Sequence, residues 1–553
     1  MNQWLMTGFS FLAEITFVML VVTYLSAMRY NLHMFQLNGY KNDEFRNWLR
    51  KNERRQRMRY PLVIFVLLTL ACFYIFQKRW GVLGVELVLC LYLIPVNAAY
   101  NIYRKHDVKK KLVYTARVKR QIFTNVLLAV LLCAVMLWIG GKQRHVTLFA
   151  NNCDTMMPLV CVMTLYVFLQ PWIMQLVNLI NHPVEAAITN YYIRDAIHKL
   201  HRQKNLKIIG ITGSYGKTSM KYYLNTLLED FYNVLITPGN FNTTLGVVRT
   251  IREHLKPSHE IFLCEMGARR VNDIKEICDL VHPDAGIITS IGPQHLETFH
   301  SIDHIIDTKY ELADALPKGG KIFLNGDNDY IRGNADKYRS NRSVIFYTNE
   351  QGEGYHASDI RLSNLGTEFT VTAPDGESAR FAMRLIGGHN VINVCGAIAV
   401  AHEMGIPLEK LRVPVRRIEP VEHRLQMIQR GNVTIIDDAY NSNPVGSKAA
   451  VETLHMFDGL RILVTPGMVE LGDKEDEYNY KFGTYAAANC DYIALVGRRA
   501  HTDPIRNGAL DSGFPEKKLR SFDDLQGALE WAYQRTEEGH KYILLENDLP
   551  DNY

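Results

Sequence analysis

The sequence predicts an α-helical transmembrane region joined to an α/β body, and three observations predict it. Long apolar runs are confined to the first third of the 553 residues. A β-branched run, a glycine loop and a helical pattern follow one another near residue 210. A second series of short apolar runs, spaced as alternating strands and helices, begins after about residue 415. A chain this long exceeds one compact core, so several domains are expected.

The hydrophobic content of 47% and the mean hydropathy of −0.10 average over that split. Five stretches, about 5–28, 60–77, 81–97, 121–140 and 156–180, approach the roughly 20 residues a spanning helix needs. The second and third are short and are separated only by Lys78-Arg79-Trp80, which fits a tight hairpin or a re-entrant unit. Basic residues follow the first run rather than precede it, which argues against a cleaved leader.

The net charge of +5 is also an average. Residues 29–59 carry nine Lys or Arg against three Asp or Glu, and residues 97–120 carry eight against one. These two loops hold +13, so the rest of the chain is at −8 and nothing in the charge argues for nucleic acid. Basic loops mark the cytoplasmic side of a membrane. The N-terminus is then expected outside and everything after about residue 180 in the cytoplasm. Such loops also attract anionic lipid. The boundaries expected are 1–180 for the spans, 181–204 for a connector helix, 205–415 for a nucleotide domain and 416–553 for a last domain. The nine cysteines are scattered without CxxC or paired His spacing, so buried thiols are expected rather than zinc or disulfides.

The buried strand expected at Leu206–Ile211 leads into Thr212-Gly213-Ser214-Tyr215-Gly216-Lys217-Thr218-Ser219, and helical spacing follows from Met220. Strand, glycine loop and helix in that order is the context of a phosphate-binding loop. Glycines let backbone N–H groups close on phosphate oxygens, and the helix N-terminus favours the anion. Lys217 is expected at the β/γ-phosphates and Thr218 on Mg²⁺. The spacing departs from the commonest loop of this kind, whose first glycine falls where Ile211 stands.

This loop resembles the TG-[ST]-x-GK-[ST] loop of the Mur ligases, and the resemblance continues in register over about residues 205–553. It implies a Mur ligase central P-loop ATPase domain and a Rossmann-like C-terminal domain. Thr237-Pro238-Gly239-Asn240-Phe241-Asn242 is similar to the family's glycine–asparagine turn by the triphosphate, placing Asn240 at the nucleotide. Glu265, ending an apolar strand, and His295 match the family's Mg²⁺ ligands, and Lys309 matches a lysine carbamylated in most relatives. Asn325, Asp327, Asn390 and Asn393 fall in segments that resemble the family's adenine-side contacts. By the same pattern Thr212, Gly213, Ser214, Gly216 and Ser219 line the ATP site, Arg424 sits by the γ-phosphate and Asp438 holds the ribose. Each of these residues taken alone also fits an ordinary structural role.

Asp437-Asp438-Ala439-Tyr440-Asn441-Ser442-Asn443-Pro444 looks like the segment of the D-alanyl-D-alanine-adding branch. Val469-Glu470-Leu471-Gly472 looks like another, although the preceding Thr465-Pro466-Gly467-Met468 departs from it. The resemblance implies a bacterial inner-membrane, ATP- and Mg²⁺-dependent ligase of cell-wall precursor synthesis. Its amine donor would be an amino acid or a dipeptide such as D-alanyl-D-alanine. The family's N-terminal UDP-binding domain is replaced by the apolar region, so a lipid-linked or otherwise membrane-bound acceptor is expected. Two alternatives stand beside this reading: an amino-acid polymerase similar to the poly-γ-glutamate synthetases, and a nucleotide-gated membrane transporter or regulator.

Overall fold

A computed structural model describes residues 3–52, 111–143, 153–349, 352–363, 366–439, 442–535 and 539–548. They form two compact units, one within Met1–Thr189 and one within Asn190–Leu549. The expected spans at 60–77 and 81–97 lie outside the described residues.

The first unit is helical: α1 (Gln3–Leu37), α2 (Asn42–Lys51), α3 (Ala116–Gln143), α4 (Cys153–Phe168) and the start of α5 (Gln170–His201). Among the described residues, Ala116–Trp138 of α3 is the one helix long and apolar enough to cross a membrane, with a mean hydropathy of 2.1. A second candidate is the pair Val162–Phe168 and Gln170–His201, which meet at 81°. The single span expected over 156–180 is therefore broken. Pro171 lacks an N–H and its ring clashes with the carbonyl four residues back, which ends α4 and starts α5. α3 buries two amides, Gln121 and Asn125, beside Val118 and Ala129, and exposes apolar side chains. Asn125 is fully buried between Tyr24, Tyr166 and Gln170, whereas Phe123, Val130, Val135 and Trp138 are exposed.

The second unit holds two sheets. The first comprises β1 (Lys207–Thr212), β2 (Val234–Ile236), β3 (Ile261–Glu265), β4 (Ala285–Ile288), β5 (Lys321–Asn325), β6 (Ser343–Thr348), β7 (Tyr355–Ser363), β8 (Gly366–Thr372) and β9 (Ser378–Met383). Their order is β2-β3-β1-β4-β5-β6-β7-β8-β9. It is parallel through β7, then closes with the antiparallel β7-β8-β9 meander.

The central strands are buried on both faces, as parallel strands under helices must be. Ile209 and Ile211 of β1 join a core with Leu224 and Leu227 of α6 (Lys217–Leu228) and Ile398 of α8 (Gly388–Glu403). Ile208 faces the opposite core, with Phe262 and with Leu312 of α7 (Ile302–Ala315). The chain leaves β1 toward β2 and leaves the neighbouring β4 toward β5 on the other side. A crevice therefore opens at the carboxyl ends of β1 and β4, where ligands bind in such sheets.

The second sheet comprises β10 (Gln426–Arg430), β11 (Val433–Asp438), β12 (Leu460–Thr465), β13 (Tyr492–Val496), β14 (Leu519–Phe522) and β15 (Lys541–Glu546), in the order β10-β11-β15-β12-β13-β14. Only β10 runs antiparallel.

Candidate active site

The turn after β1 is built for close approach. Gly216 stands at the N-cap of α6 with φ +79°. A Cβ on Gly213 would lie 2.1 Å from the Thr289 hydroxyl, so only glycine fits there. The segment after β4 braces this loop. Ser214 N donates to Ser290 O at 2.7 Å, Tyr215 N to Ser290 Oγ at 2.9 Å, and Ser214 Oγ to Gly292 O at 3.1 Å. Lys217 Nζ caps the loop from below, donating to Gly213 O at 2.7 Å and Ser214 O at 3.0 Å. Burial lowers its pKa to about 8, against the pull of Glu265 and with the push of Arg424. Thr212 donates its hydroxyl to Met266 O at 3.0 Å, tying the loop to the end of β3.

Glu265 ends β3 almost fully buried and is the knot of the site. Its Oε1 accepts from Thr218 Oγ1 at 3.0 Å and from Asn242 Nδ2 at 3.1 Å. Its Oε2 lies 2.9 Å from Lys221 Nζ, a lysine with no exposed side-chain surface. Lys221 also donates to Gly239 O at 2.6 Å, fixing the glycine–asparagine turn. The side chain that reaches the carboxylate from that turn is Asn242; Asn240, expected at the nucleotide, is exposed.

His295, in a left-handed conformation with φ +52°, bonds through Nδ1 to the Glu470 carboxylate, itself at φ +66°. Its Nε2 is thus the ring nitrogen left for a ligand. Burial lowers the His295 pKa, with Glu470 opposing. Lys309 is buried in α7, and among the described residues no carboxylate lies within ion-pair distance of it. Burial, and then repulsion from Lys217, holds its ammonium well below the usual range. A lysine held toward the neutral amine suits carbamylation, since only the neutral amine adds CO₂. The Thr218, Glu265 and His295 donors, all oxygen or imidazole, suit Mg²⁺ once Lys309 is a carbamate.

Of the residues expected at the adenine, Asn325 Nδ2 donates to Thr289 O at 2.8 Å, and Asn390 Oδ1 accepts from Tyr223 OH at 2.8 Å. Ser219 is buried on α6, and Asn393 abuts Gly216. Asp327 is spent on the end of β6, accepting from Asn349 N at 2.9 Å and from the Thr348 hydroxyl. The Arg424 charge acts on Lys217, on Tyr223 and on His389, whose pKa burial lowers to about 4. Asp438 accepts from Leu425 N at 3.2 Å. It is pushed up by burial, with Arg424 opposing, and lies against Glu546, its register partner on β15. Tyr440 and Asn441 of the same segment lie outside the described residues.

Sequence reasoning did not single out Lys221 or Glu546 as site residues. Lys221 follows Lys217 by one helical turn, a spacing that places both on one face. Glu546 ends β15, where a parallel sheet exposes its carboxyl ends.

A phosphate loop at a switch point, a buried carboxylate on its threonine and a histidine bridged to a following α/β sheet define a nucleotide-dependent group-transfer enzyme. The Mur ligase middle domain matches residues 211–401, and the Mur ligase glutamate ligase domain matches residues 423–545. The UDP-N-acetylmuramoyl-tripeptide–D-alanyl-D-alanine ligase of Escherichia coli K12 is 30% identical over 339 residues, covering 60% of this chain and 75% of the relative. The enzyme of the same name from Bacillus subtilis is 31% identical over 280 residues, covering 50% of this chain and 59% of the relative. MurF from Acinetobacter baumannii superposes with a TM-score of 0.58 at 27% identity, covering 64% of this chain and 76% of that one. MurF from Thermotoga maritima in complex with ADP shares the fold, with a TM-score of 0.59 at 24% identity over 66% of this chain and 81% of that one. The chain belongs to the Mur ligase family, ATP-dependent, ADP-forming acid–amino-acid ligases.

Proposed function

We propose that the chain is a membrane-anchored ligase of peptidoglycan precursor synthesis. It joins the amine of D-alanyl-D-alanine, or of a like dipeptide or amino acid, to a carboxylate on a membrane-held acceptor. The observation that carries the ligase reading is the knot at Glu265, where the phosphate-loop threonine, the glycine–asparagine turn and a buried lysine converge on one carboxylate. The kinship with D-alanyl-D-alanine-adding ligases supports the donor. The long apolar α3, with Phe123, Val130 and Val135 exposed and standing in the part of the chain before the family match, supports the anchor and an acceptor held at the bilayer.

The chemistry balances in two displacements. An acceptor carboxylate oxygen attacks the γ-phosphorus of ATP, ADP leaves, and an acyl phosphate forms. The donor amine then attacks the acyl carbon, phosphate leaves and the amine proton passes to solvent. A carboxylate is a poor electrophile, so phosphate serves as its leaving group. Lys217 and Arg424 lay positive charge along the phosphates, where charge shifts in the transition state. Thr218, Glu265, His295 and carbamylated Lys309 would hold Mg²⁺, which would supply charge screening of the phosphate oxygens against the carboxylate. The His295–Glu470 contact brings the C-terminal domain onto the nucleotide domain, so closure assembles the site for the amine. Hydroxylamine in place of the donor tests the intermediate. An acceptor hydroxamate formed only with ATP supports the reading, and ATP hydrolysis without any hydroxamate rejects it.

A further inference from the structure

The first unit holds polar chemistry that ligation does not use. Arg117, Gln121 and Asn125 lie four residues apart on α3 and share one face. Gln121 is fully buried. Its Nε2 donates to Asn178 Oδ1 at 3.2 Å, and its Oε1, also buried, accepts from nothing among the described residues. The Arg117 guanidinium stacks 4.1 Å above the Tyr40 ring and reaches the same Asn178 oxygen only at 3.4 Å. Its Nε is buried and makes no hydrogen bond among the described residues. Glu185 lies 4.0 Å away, but Arg120 holds both its oxygens, at 2.7 and 3.0 Å. Among the described residues, Arg120 thus takes the carboxylate that Arg117 would need, leaving an unmet donor edge on Arg117 and an unmet acceptor on Gln121 side by side on one face of α3.

Buried polar groups left unpaired are costly, so such a pair of unmet groups calls for a partner. A guanidinium edge matches an anion that accepts along two oxygens, which is phosphate geometry. Resting on the membrane reading above, we infer that Arg117, Gln121, Asn178 and the Tyr40 platform take the phosphate headgroup of a lipid. The lipid's chains would run along the exposed apolar residues that continue α3, such as Phe123 and Leu127. Gln121 Oε1 accepts from a hydroxyl or amide beside the phosphate. This is the chemistry of a phosphate-linked lipid acceptor, and it gives the first unit a substrate-binding task besides anchoring.

The test titrates the full chain in detergent, with ADP saturating the nucleotide loop, using farnesyl diphosphate in one arm and inorganic pyrophosphate in the other. Farnesyl diphosphate is expected to bind at least about tenfold tighter than pyrophosphate. Arg117→Met is expected to weaken it at least about tenfold, the worth of one charge-assisted hydrogen bond. Should Arg117→Met elute as aggregate, Arg117→Lys replaces it; keeping charge but losing the fork, it should weaken binding by a smaller factor. Equal affinity for both probes would overturn the lipid source, and unchanged affinity in both variants would overturn the site. An alkaline carbonate wash of membranes separates the premises. A chain that washes off refutes the membrane reading, whereas a retained chain that ignores farnesyl diphosphate refutes this inference alone.

Discussion

At the residue scale, the site turns on buried charges. Lys221 and Glu265 form an ion pair without solvent, so removing one partner leaves the other uncompensated. Lys221→Met is expected to destabilise the fold by about 3–5 kcal/mol, read from chemical denaturation. Replacing both by apolar residues should cost less stability, yet abolish activity. Lys217 carries the second prediction. Its folded pKa of about 8 lies below the ordinary value near 10.5, so burial of the charged form costs stability at pH below 8. That cost is relieved as pH rises from about 8 toward 10.5, because the folded state sheds its proton first. Phosphate favours the charged form, so nucleotide binding should take up a proton near pH 8 to 9. Calorimetry in buffers of differing ionisation enthalpy reads the uptake, and its absence would remove Lys217 from the phosphates. Lys309→Arg should be inactive, because a guanidinium cannot become a carbamate.

At the element scale, the phosphate loop works because two turns brace one another across β1 and β4. Gly213→Ala would drive a methyl into Thr289 and the Ser290 backbone. Nucleotide affinity should fall by at least about tenfold while the melting temperature shifts by only a few degrees. The strand, loop and helix were legible in the sequence because local periodicity and glycine placement determine them. So were β11, β12, β13 and β15 as runs of apolar residues. The partly exposed β10 and β14 carry no such run and were not legible. Nor was the choice of Asn242 over Asn240, which depends on the turn's three-dimensional path. The break at Leu169–Gln170 interrupts an apolar run whose hydropathy is continuous. Gln170 and Pro171 mark it, and hydropathy averaged over the run registers neither one amide nor a missing N–H.

At the scale of the whole molecule, the two α/β sheets communicate through His295 and Glu470. Glu470→Gln keeps the shape but removes the charge. It should lower the rate of phosphate release while leaving ATP affinity within about twofold, since Glu470 lies outside the phosphate loop. The central claim is that ATP cleavage is coupled to joining a soluble amine to a membrane-held carboxylate. Phosphate release by the detergent-solubilised full chain, with ATP and Mg²⁺, tests it most directly when D-alanyl-D-alanine and a bacterial lipid extract are added singly and together. The account predicts release only when both are present, lost on Lys217→Ala. Release that needs neither, or that proceeds with a soluble acceptor and no lipid fraction, would contradict it.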